Sequence, residues 1–76
     1  MGDLENLREE LFLRRYSDKT IESYENIVSK FLSSSKTPRN FLLEHSTKSK
    51  ATMRGVYFAL KFFHEKVLKK QFGEQI

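Results

Sequence analysis

Ser49-Lys50-Ala51-Thr52-Met53-Arg54-Gly55-Val56-Tyr57-Phe58-Ala59-Leu60-Lys61-Phe62-Phe63-His64-Glu65-Lys66-Val67-Leu68-Lys69-Lys70-Gln71-Phe72 is the stretch on which the rest of this chain is built. Met53, Val56, Leu60, Phe63 and Val67 follow one another at steps of three and four. That spacing puts them on one face of a helix, and Phe62 and Leu68 widen the stripe. A second line, Lys50, Arg54, Tyr57 and Lys61, climbs another side. A helix that buries one face and carries Lys and Arg on another can pack onto its own domain and lay cations along a polyanion.

The chain has 76 residues, enough for one domain (1–76), and a chain of this size buries only about 60% of the surface its unfolded form exposes. Seven Phe and three Tyr supply large apolar area per residue. Period-two runs are missing, Val and Ile are few, and an all-α fold is expected. There is no cysteine, so disulfides and thiolate metal sites are excluded. Neither a membrane-spanning run nor a signal-peptide pattern is present, and the expectation is a soluble, cytoplasmic protein without a membrane partner. The net charge of +4 is unevenly placed. Residues 1–35 carry five Lys/Arg against seven Asp/Glu, and residues 36–76 carry nine against three. The basic half holds the long helix, which favours a polyanionic partner.

Four helices are expected, at about 4–15, 18–34, 38–45 and 50–71. Asp3 is the expected N-cap of the first, and Leu4, Leu7 and Leu11 its buried face. Arg14 and Arg15 fall near its C-terminus, where a cation suits the helix dipole and is also free to reach a phosphate. Ser17 caps the second helix, whose apolar stripe is Ile21, Tyr24, Ile27, Val28, Phe31 and Leu32. Lys19, Ser23, Asn26 and Lys30 share another face. These types contact phosphates and base edges, and are equally common on ordinary surfaces. Thr37-Pro38 opens the third helix, with Thr as cap and Pro at the first helical position. Phe41 with Leu42 or Leu43 plugs the core, and His45 ends the helix. Ser49 caps the fourth helix. Gly55 within it either meets a neighbouring backbone or is merely tolerated, at about 1 kcal/mol relative to Ala. His64 reads as a packing residue, and the tail Gly73–Ile76 is expected to fray. No Gly-rich phosphate loop, zinc spacing or catalytic constellation is present, and neither cofactor nor metal is expected.

Two segments share a design. Ser17-Asp18-Lys19-Thr20-Ile21-Glu22-Ser23-Tyr24 is followed by Phe31-Leu32, and Ser49-Lys50-Ala51-Thr52-Met53-Arg54 runs into Ala59-Leu60-Lys61-Phe62-Phe63. In their order and spacing, over roughly residues 5–70, they resemble the N-terminal core-binding domain of tyrosine recombinases, the phage-integrase-like family. The resemblance implies a four-helix, orthogonal, SAM-like bundle. It implies a module that clamps one side of a recombination-site duplex while a separate catalytic domain, absent from this chain, grips the other. Its second and fourth helices would face double-stranded DNA. Carried over by motif, the candidate contacts are Ser17, Lys19 and Thr20, with Lys50, Thr52 and Arg54 as counterparts. Ser23, Lys30, Tyr57 and Lys61 join them by helix geometry, and Lys48 by its place in the connector. Asn26, Arg54 and Lys61 are the candidates for reading bases. The implied partners are the duplex, the catalytic domain and neighbouring protomers on DNA, with a monomer in isolation and a nucleoid location.

The segment Lys36–Lys48 is compact for the family. The family's arginines, His-x-x-Arg segment and nucleophilic tyrosine are not matched here, since neither His45 nor His64 has Arg three residues on. The chain is therefore expected neither to cut nor to join DNA. The alternative is a helical protein-interaction module, which would expose an apolar patch built from Phe58, Phe12 or Phe72.

Overall fold

The computed structural model describes residues 2–75, and the expected ends Met1 and Ile76 lie outside the described residues. The architecture is all-helical: α1 Asp3–Leu13, α2 Asp18–Ser34, α3 Pro38–Glu44 and α4 Lys50–Phe62. A π-helical turn, Phe63–Val67, continues α4, and a 3₁₀ turn covers Phe72–Gln75.

The helix starts follow cap chemistry. Ser17, Thr37 and Ser49 each take an extended backbone and accept a hydrogen bond from the amide three residues on, at Thr20, Asn40 and Thr52. Pro38 sits at the first helical position and is buried. The start of α1 differs from expectation. Gly2 is its cap residue, with no side-chain hydrogen bond, and Asp3 and Glu5 lie in the first turn, where carboxylates meet the positive end of the helix.

Three helix ends use the left-handed backbone without glycine: Arg15 (φ 60°) after α1, Ser35 (φ 57°) after α2 and Lys69 (φ 60°) after the π turn. α1 accordingly stops at Leu13, two residues before the expected end. Arg14 joins the Glu10 carboxylate and lies over the Phe62 ring at 5.5 Å. After α2, Ser34 Oγ donates to the Phe31 carbonyl (2.7 Å) and accepts from the Lys36 amide (3.2 Å).

α2 and α4 are shared by two core clusters. In one, Leu7 and Leu11 of α1 meet Ile21 and Val28 of α2 and Phe63 of the π turn. In the other, Phe31 of α2 and Phe41 of α3 meet Val56 and Leu60 of α4, with Phe72 closing it. Leu42 packs against this second cluster, and Leu43 is exposed. Leu32, expected in the α2 stripe, lies in the last turn of α2 and is 42% exposed.

The largest departure is the end of α4. The expected helix to residue 71 stops being α-helical at Phe62. In the π turn the Leu68 amide donates to the Phe63 carbonyl, five residues back (3.1 Å), and the Lys70 amide to His64 (2.9 Å). Two consecutive residues of this turn, Phe63 and His64, are both buried. His64 donates from Nδ1 to the Leu60 carbonyl (2.8 Å). Lys69 then reverses the chain, and Phe72 returns to pack on His64 and Tyr57, with centroids at 5.2 and 5.4 Å. Phe72 is therefore core rather than an exposed aromatic, and Gly73–Gln75 form part of the closing 3₁₀ turn.

Candidate nucleic-acid interface

The two Ser-x-x-Thr segments fold into the same local object. Ser17 Oγ accepts from the Thr20 amide (3.2 Å) and donates to Thr20 Oγ1 (3.0 Å). Ser49 does the same with Thr52, at 3.3 and 3.0 Å. The serine hydroxyls are thus occupied by the caps, and each threonine hydroxyl keeps its proton to offer outward. The two ends differ in charge. The first turn of α2 carries Asp18, whereas that of α4 carries no acid. An anion is therefore better received at the start of α4, where helix amides point outward.

Beyond that end lies a groove of about 500 Å³ among α2, α3 and α4, edged by Ser23, Lys30, Lys48 and Thr52. A second groove, of about 490 Å³, is edged by Lys50 and Arg54 with Tyr24 and Phe58. Ala51 and Gly55 line both, so the two grooves meet over the smallest side chains of α4. A Cβ placed on Gly55 would meet nothing within 4 Å, so no internal neighbour requires glycine there. A third groove, of about 200 Å³, carries Lys61 and Lys66 and shares Tyr24 and Phe58 with the second.

Seven of the eleven candidates, Ser23, Lys30, Lys48, Lys50, Thr52, Arg54 and Lys61, thus edge one connected set of grooves. Ser17, Lys19 and Thr20 edge none of them and lie about one turn before Ser23 along α2. Tyr57 edges none either. Its half-buried ring packs against the second core cluster and lies 5.4 Å from Phe72. Asn26 is exposed on α2. Among the described residues, ion pairs join Arg8 to Glu25, Arg14 to Glu10 and Lys36 to Glu44, and none of these involves a groove lysine or Arg54.

Lys66 and the Ala51–Gly55 floor were not foreseen. Nothing in α-helical spacing signals Lys66, which reaches the third groove on the π turn beside Tyr16. The floor had a signal, two small residues four apart on the basic side of α4. At the junction, Tyr16, Tyr24 and Phe62 brace one another with centroids 5.7 to 6.0 Å apart. Burial, and then the nearby Tyr16 phenol, push the Tyr24 hydroxyl above its ordinary range.

Neither histidine faces these grooves with a free Nδ1: His45 bonds the Phe41 carbonyl (2.8 Å) as α3 ends, and His64 is buried. Among the described residues, no three His, Asp or Glu side chains gather in a metal-binding group. Among the described residues, no helix is long and apolar enough to cross a membrane. No protein-family model, curated protein or solved structure matches the chain.

Proposed function

We propose that this chain is a DNA-binding module of a tyrosine-type site-specific recombinase, a SAM-like orthogonal bundle. It clamps one side of the recombination-site duplex while a separate catalytic domain carries out strand exchange. The observation that carries the reading is the gathering of Lys30, Lys48, Lys50, Arg54 and Lys61, none ion-paired, along grooves that meet over Ala51 and Gly55. A duplex backbone laid there meets cations on both sides, a small-residue floor and the acid-free start of α4. Ser23, Thr52 and the Thr20 hydroxyl add neutral donors. Arg54, Lys61 and Asn26 are the side chains that reach base edges. The module binds as a monomer, neither cuts nor joins DNA, and works on the nucleoid. Fluorescence anisotropy with a labelled duplex across a salt series tests it. A log–log slope of roughly −3 to −5 and a dissociation constant of about 10⁻⁴ to 10⁻⁶ M are expected. Salt-independent binding, or none at low salt, contradicts the reading.

One observation favours a second reading. Phe12 and Leu13 are 69% and 75% exposed side by side at the end of α1, next to Glu9 and away from the basic grooves. A pair of large apolar side chains in water suits a protein–protein contact. As a helical protein-interaction module, the chain would lose its partner on Phe12→Ser/Leu13→Ser and keep it on Arg54→Gln.

A further inference from the structure

Phe58 is 46% exposed at the point where the second and third grooves meet. Its surroundings are unlike those of Phe12. Lys50 and Arg54 edge the groove on one side of it and Lys61 and Lys66 the groove on the other, with Glu65 the one carboxylate lining either. Tyr16 and Tyr24 line the same space, held edge-on to one another, with Tyr24 edge-on and Tyr16 tilted to Phe62. The ligand that fits is anionic along its length and carries a flat apolar face. We propose that Phe58 is a stacking platform for an unpaired nucleobase, with the flanking cations holding the sugar–phosphate chain on either side of it.

The inference rests on the reading of the basic grooves as a nucleic-acid surface and goes beyond it. A duplex keeps its bases stacked inside, so a grip on phosphates leaves Phe58 idle. A single strand, or a duplex opened at one step, offers a base face to the ring. An acidic peptide shares the charge, but its carboxylates sit on flexible side chains rather than beside a planar ring. The groove beside Phe58, about 200 Å³, is a shallow slot for a ring.

The chain contains no Trp, so Phe58→Trp introduces a single tryptophan at the site, excited selectively over the three tyrosines. A short thymidylate strand should quench that fluorescence on binding. Phe58→Ala should weaken thymidylate binding about 5- to 150-fold while duplex affinity stays within about twofold. Far-UV circular dichroism of both variants should match the parent, since the ring is nearly half in solvent. The inference is overturned if Phe58→Ala leaves thymidylate affinity unchanged, if it lowers duplex affinity equally, or if polyglutamate quenches the Trp as thymidylate does. In the first two cases duplex binding that still responds to Arg54→Gln and Lys61→Gln keeps the basic-groove reading standing. If the parent chain binds neither nucleic acid, both fall.

Discussion

Ser17 and Ser49 show how a sequence motif can have a local cause. Each serine closes the first turn of its helix by taking the Thr20 or Thr52 amide, and each threonine hydroxyl is held by the serine in return. The motif pair was legible because capping chemistry is written in adjacent residues. Its service to the fold is established by geometry, and its service to DNA is a separate claim that substitutions can split. Ser49→Ala should cost about 1 kcal/mol in urea denaturation. Ser49→Asp should keep the cap and the stability, yet weaken duplex binding by placing a carboxylate where a phosphate is expected. Gly55 raises the converse point, since the fold does not need glycine there. Gly55→Ala should stabilise the domain by up to about 1 kcal/mol in the same assay, and a drop in stability would mean that the open space beside it is not open.

The helices themselves were legible where periodicity and caps agree, and lost where the backbone leaves the α-helical register. The starts of α2, α3 and α4 fall at Asp18, Pro38 and Lys50, as cap residues dictate. The ends of α1 and of the last helix are harder because Arg15 and Lys69 take positive φ without being glycine, so no residue type marks the stop. Lys69→Gly should relieve that conformation and raise the thermal midpoint, by an amount equivalent to about 1 kcal/mol. The π turn at Phe63–Val67 was invisible to reasoning at a fixed angle per residue, and with it the return of Phe72 to the core. Phe72→Ala should cost about 3–5 kcal/mol, enough to leave a domain of this size largely unfolded. Circular dichroism reads the loss directly, and a near-native melt would show that the C-terminal turn is dispensable.

For the molecule as a whole, the charge asymmetry between its halves has a spatial counterpart. Ion pairing ties Arg8 of α1 to Glu25 of α2 and Arg14 to Glu10, while among the described residues the groove cations of α2, the connector and α4 have no ion-pair partner. The basic line Lys50, Arg54, Lys61 could be read from helical spacing, because all three fall on one side of α4. Its junction with Lys30 and Lys48 could not, because it depends on how α2 and α3 cross α4, and periodicity contains no information on crossing. Tyr57 shares that line in sequence, and its ring packs on Phe72. Removing one phosphate contact should flatten the salt dependence of duplex binding by about 0.9 per charge, so Lys48→Gln/Lys50→Gln should lower the slope by about 2. Anisotropy titrations at several salt concentrations measure it, and an unchanged slope would take those two side chains off the phosphates.

The most direct test of the central claim is a titration of the isotope-labelled chain with a short duplex, followed by amide NMR shifts at low and moderate salt. A duplex seated in the basic grooves should give shifts at Ser23, Lys30, Lys48–Arg54 and Lys61 that shrink as salt rises, with the amides of Phe12 and Leu13 unmoved. Groove amides that stay in place at low salt would contradict it, and the exposed Phe12–Leu13 pair would then be the surface on which to seek a partner.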